Sequence, residues 1–165
     1  MFAAPALAGP DTITRTYLLG TGFLCGLGAG ACPDVALAKN GDKIELTGAG
    51  TFRPHPKLVT GGGTFVHKNA AGAVIGSGTW TATELMGFHT FGTAAAGAAT
   101  IEGGVLRIHV HITPASGGPG FDGILTVICL VGSPPPSAEE GIQLKIEGSL
   151  PNFTEIVSGL TVYIQ

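Results

Sequence analysis

The sequence predicts an all-β protein: a small antiparallel β-barrel or barrel-like sandwich of about eight strands, preceded by an N-terminal arm of Ala and Pro. Three observations carry this. Apolar residues alternate with period two along most of the chain, and no long stretch keeps a capped 3.6-residue period. Gly (28) and Pro (11) break that alternation in clusters such as 116–120 (SGGPG) and 133–137 (SPPPS). A Gly-x-Gly-Thr-aromatic unit occurs as Gly48 to Phe52, Gly61 to Phe65 and Gly76 to Trp80.

In chain order, strands are expected near 12–19, 43–52, 60–68, 73–91, 104–112, 121–131, 141–147 and 159–164. Residues 1–22 would form the arm and first strand, and 23–165 a single β domain, since 165 residues suit one core. The run Ala94 to Ala99 is broken by Gly97 and reads as a loop. Positions i, i+2 and i+4 of a strand share a face, so each repeat sets two glycines and one ring on the same side. A hairpin turning at 69–72 would pair Lys68 with Ala73, and then Phe65 with Gly76, Gly63 with Gly78 and Gly61 with Trp80. Phe52 would face Gly61 in the same manner. A ring laid over a glycine lets a strand bend while keeping the space filled, which is the habit of a closing sheet. The same residues carry a functional reading. Space left by absent side chains, floored by Phe52, Phe65 and Trp80, could hold a flat apolar ligand or a sugar.

Charged residues make up only 12% of the chain, and its net charge of −3 comes with no Lys/Arg cluster. Nucleic acid and anionic membranes are therefore not expected as partners. No apolar run of 18 residues offers a membrane-spanning helix. Cys25 and Cys32 flank a Gly-rich loop, and Cys129 lies in the apolar run 124–131, so three candidates allow one disulfide and one thiol. Residues Ala6-Leu7-Ala8 match a signal-peptidase pattern, and Asn152-Phe153-Thr154 is a sequon that makes Asn152 a glycosylation candidate. Together these point to an extracellular protein. The alternating segment 12–17 (TITRTY) could add to the sheet edge of a second copy, giving self-association through the arm, or fold back onto its own barrel.

Five histidines raise a metal hypothesis. Leu106, Ile108, Val110 and Ile112 take one face of a strand, which puts Arg107, His109 and His111 on the other. A His-x-His pair can give two cis ligands to a transition metal, the one cofactor the sequence suggests. The run from Gly103 to His111 (GGVLRIHVH) resembles the opening of a cupin metal motif. That motif's acidic residue has no counterpart in 112–120, and no later histidine follows, so a third ligand would come from His55, His67 or His89. Alternation places His67 with Phe65 and Glu84 with Trp80 on the inner face, unless a bulge intervenes. An inward carboxylate beside a histidine is a candidate acid/base pair. Signatures of serine hydrolases, P-loop proteins and zinc proteases are absent.

The expected function is a secreted non-catalytic β domain with a binding or assembly role, holding a small molecule or glycan against Phe52, Phe65 and Trp80, with Arg107 as a polar contact. The alternatives are a small-molecule enzyme using Glu84 and His67, or a metalloprotein centred on His109 and His111.

Overall fold

A computed structural model describes residues 12–148 and 151–165, and these are almost entirely β. The strands are β1 (Arg15–Leu19), β2 (Asp34–Ala38), β3 (Lys43–Arg53), β4 (Leu58–Val59), β5 (Gly62–Lys68) and β6 (Val74–Ala96), followed by β7 (Ala99–Pro114), β8 (Phe121–Cys129), β9 (Gly141–Ile146), β10 (Phe153–Ser158) and β11 (Thr161–Ile164). A 3₁₀ turn, Gly22–Gly26, carries Cys25, which closes a disulfide loop with Cys32. Cys129 is a buried free thiol.

All pairings are antiparallel, and the order β7-β6-β5-β3-β2-β10-β9-β8 closes into a ring of eight through β7–β8. The wall forks at one end. On β3, Lys43–Leu46 pair with β2, while Gly48–Phe52 pair with β1 on the same edge. On β7, Gly104–Ile112 pair with β8, while Ile101 and Glu102 pair with β11. Because β1 also pairs with β11, these two short strands bridge β3 to β7 and draw this end of the barrel together.

That end is sealed by a buried ion pair set among rings. Arg15 and Glu102 are 1% and 2% exposed, and the Arg15 Nε donates to Glu102 Oε2 while its second terminal nitrogen donates to Oε1 at 3.2 Å. Thr90 Oγ1 and Gln165 Nε2 donate to the same carboxylate at 2.7 and 2.9 Å. Phe52 and Phe88 lie 5.8 and 5.0 Å from the guanidinium, and Tyr163 packs edge-on against both rings. Every lone pair that matters has a donor, which is the condition under which a buried ion pair is tolerated.

The aromatic-over-glycine expectation holds in kind but changes partners. Phe65 faces Gly78, Gly63 faces Trp80 and His67 faces Gly76, each two residues from the expected register. Two slips of one residue account for it. The turn runs from Asn69 to Ala73 with Gly72 at φ +88°, a three-residue loop with a left-handed glycine, and a bulge at Ile75 follows before Gly76. Two one-residue slips restore the inside–outside parity, so the faces assigned to Phe65, His67 and Trp80 are kept. Phe52 likewise pairs with Val59 rather than Gly61. The Trp80 ring lies over Gly48, where an added Cβ would come within about 2.2 Å of it. A Cβ on Gly78 would meet the Thr113 carbonyl oxygen at 2.1 Å and the Phe65 ring at 2.9 Å. Gly78→Val is therefore expected to destabilise by about 3 kcal/mol or more, read as a denaturant midpoint against Thr79→Val, an exposed control on the same strand.

Other expectations are corrected. Strands β2 and β10 were not foreseen: β2 turns Asp34, Ala36 and Ala38 inward, an inner face too small and polar to read as core, and β10 carries two register shifts. Ala94 to Ala99 is a hairpin tip instead of a loop. Ala96 pairs with Ala99, and Gly97 at φ +63° takes the first central position of a tight turn. The strand segment of the N-terminal arm lies between β11 and β3 of its own chain, with both edges occupied, which leaves it no free edge to offer a second copy. The Ala/Pro portion, 1–11, lies outside the described residues.

Candidate functional site

The ring of eight stays open at the end opposite the ion pair. The β2–β3, β5–β6 and β7–β8 turns gather there, because each of these strand pairs is a hairpin that reverses at the same end. Within them lies a cavity of about 610 Å³. Its lining is Ile44 of β3, Phe65 and His67 of β5, Val74 to Ser77 of β6, Ile112 and Pro114 of β7, Phe121 of β8, Ile146 of β9, Phe153 of β10, and 116, 117 and 119 of the β7–β8 turn. No Lys, Arg, Asp or Glu is among them. At its lip Val74, Ile75 and Phe121 are 59%, 55% and 38% exposed, so large apolar side chains ring the opening instead of covering it.

His67 is the cavity's titratable side chain. Its Nε2 lies 2.8 Å from Asp42 Oδ2, and its ring meets Phe153 edge-on at 5.3 Å. The turn before β3 positions Asp42: Asn40 Oδ1 accepts its backbone N–H at 3.0 Å, and Gly41 takes φ +89°. Asp42 escaped sequence reasoning because it sits at a strand start. The signal available was its place after Asn40-Gly41, a turn pair.

The residues singled out in the sequence are not brought together. Of the three rings, Phe65 alone lines the cavity. Phe52 lies in the sealed end, and Trp80, 2% exposed, donates its Nε1–H to the Thr47 carbonyl at 3.0 Å within the core. Glu84 is exposed. A bulge between Ala82 and Glu84 flips the parity of β6, so Leu85 is buried in its place and Glu84 faces outward opposite His109. No acid/base pair of Glu84 and His67 is formed. Arg107 is also exposed, on the outer face between Gly87 and Thr126, away from the cavity.

His109 and His111 share that outer face, and His111 Nδ1 is 2.7 Å from Asp122 Oδ1. Among the described residues no three His, Cys, Asp or Glu side chains form a metal-holding group. The His55 and His89 side chains are exposed and supply no third ligand. Asn152 is exposed, and its Oδ1 accepts the Ile146 N–H at 2.9 Å. Burial pushes the Cys129 thiol up to about 11, so it stays protonated and unreactive at neutral pH.

One further group is unusual. Asp34 is fully buried, and neither carboxylate oxygen has a hydrogen-bond partner among the described residues. Burial, and secondarily the charge of Glu140, raise its carboxyl to about 8. Gly159 backs it, where an added Cβ would come 1.7 Å from Asp34 Oδ1. No family model matches this chain, and no curated protein or solved structure matches it.

Proposed function

We propose that this protein is a secreted, non-catalytic barrel that binds an apolar small molecule in its open mouth. The observation that carries the reading is the uncharged cavity of about 610 Å³ with exposed Val74, Ile75 and Phe121 at its lip. Its volume falls in the range of small-molecule sites, about 300–1,000 Å³, and burying a ligand there would also cover apolar side chains left in water. The Cys25–Cys32 disulfide agrees with an oxidising compartment. An apolar ligand suits the lining better than a sugar, because a sugar's hydroxyls would meet few polar partners there.

The test is saturable binding of a neutral solvatochromic dye such as Nile red, followed by fluorescence. Gly76 lines the cavity, and a Cβ added there would meet only the His67 Cβ at 3.8 Å. Gly76→Leu should therefore fill the cup without straining the strand. Dye affinity is expected to fall at least tenfold, or about 1.4 kcal/mol, with the thermal midpoint nearly unchanged. Binding that does not saturate, or that Gly76→Leu leaves intact, would overturn the reading.

A further inference from the structure

Resting on that reading of the mouth, we infer that the ligand is a neutral apolar molecule carrying one hydroxyl, of the alcohol or phenol class, and that the His67–Asp42 pair selects it over an apolar carboxylate. Charge decides first. The lining holds no Lys or Arg, and the one side chain able to become cationic, His67, already has a carboxylate 2.8 Å from its Nε2. With a neutral ring the pair carries one negative charge, and with a protonated ring it carries none. In neither state does it present the net positive charge that would compensate an anion brought out of water into an apolar cup.

Hydrogen bonding decides next. A carboxylate only accepts, so the neutral ring must place its proton on Nε2, toward Asp42. Nδ1 then bears the lone pair, and among the described residues it has no hydrogen-bond partner. A hydroxyl answers either state of the ring, donating to the Nδ1 lone pair when it is neutral or accepting from the Nδ1–H when it is protonated, and it enters without charge. The Phe153 ring, edge-on to the imidazole at 5.3 Å, helps hold its plane, so the ring is oriented before the ligand arrives.

Three probes of one shape separate these terms: naphthalene, 2-naphthol and 2-naphthoate, each competing with Nile red at neutral pH. The wild-type protein is expected to bind naphthol some five- to tenfold more tightly than naphthalene, and naphthoate more weakly than either. His67→Phe keeps a ring against Phe153 but removes the acceptor, and should bring naphthol and naphthalene to equal affinity. Asp42→Asn removes the negative charge beside His67, and should narrow the penalty on naphthoate. Melting curves confirm that both variants are folded. If naphthoate binds best, or if the naphthol preference survives His67→Phe, the inference is overturned while the mouth stands as an apolar site. If neither naphthalene nor Nile red binds saturably, the mouth itself is not a binding site and both conclusions fall.

Discussion

Arg15→Ala is expected to destabilise the protein by about 3–5 kcal/mol and to lower its thermal midpoint by roughly 10 °C. The substitution leaves Glu102, 2% exposed, as a buried carboxylate without its cation, and takes a guanidinium from beside Phe52 and Phe88. Burial by itself would raise the Glu102 carboxyl. The hydrogen bonds from Arg15, Gln165 and Thr90, with the charge of Arg15, outweigh burial and hold it below its ordinary value. The paired change Arg15→Met with Glu102→Leu separates charge from packing, because it removes both charges and keeps the volume. It should cost clearly less than Arg15→Ala alone. Equal losses in chemical denaturation would mean that loss of the ion pair itself, and not the stranded charge or a cavity, accounts for the effect.

The second large effect is a dependence on pH that comes from Asp34. Its carboxyl stands at about 8 in the folded protein against 3.8 ordinarily. Between those values the unfolded chain has released this proton and the folded chain still holds it, so raising the pH favours unfolding. The contribution is fully present below about pH 4 and fully lost above about pH 8. Each unit between costs about 1.4 kcal/mol, on the order of 5 kcal/mol across the window. Glu102 works in the opposite direction at lower pH: its depressed carboxyl stabilises above its ordinary 4.5, and that support is lost as the pH falls through the folded value. Unfolding midpoints measured at pH 5, 6, 7 and 8 should therefore decline in the wild type and decline much less in Asp34→Asn. Parallel slopes in the two proteins would sink the assignment.

Much of the architecture was legible in the sequence, because alternation reports which face of a strand is buried. The Phe65, His67 and Trp80 faces were read correctly even though the hairpin register was off by two, since the longer turn and one bulge cancel in parity. Glu84 failed for the complementary reason. Strand β6 carries three register shifts against β7, and a single one upstream of Glu84 turns an inward carboxylate outward. Bulges leave little trace in composition, so parity can be carried along a strand only until the first of them. Strand β2 was hidden because its inner face is Asp34, Ala36 and Ala38 while Val35 and Leu37 lie partly exposed, an inverted pattern. The binding cup was hidden for another reason. Ile44, Phe65, Ile112, Ile146 and Phe153 come from five strands, and only closure of the ring reveals that their ends are neighbours.

The two-strand bridge also sets an order of assembly. Strand β1 is the first described strand to leave a ribosome, yet one of its neighbours is β11, with Thr16 opposite Ile164 and Leu19 opposite Thr161. Its other neighbour, Gly48–Phe52 of β3, is available early, so β1 can dock on one edge while the second waits. Until β11 arrives, Arg15 has no closed chamber around it, and its partner Glu102 has no Gln165 beside it. The eight strands around the mouth include neither β1 nor β11. The ring around the mouth is thus complete once β10 is in place, whereas the far end closes only when β11 docks between β1 and β7.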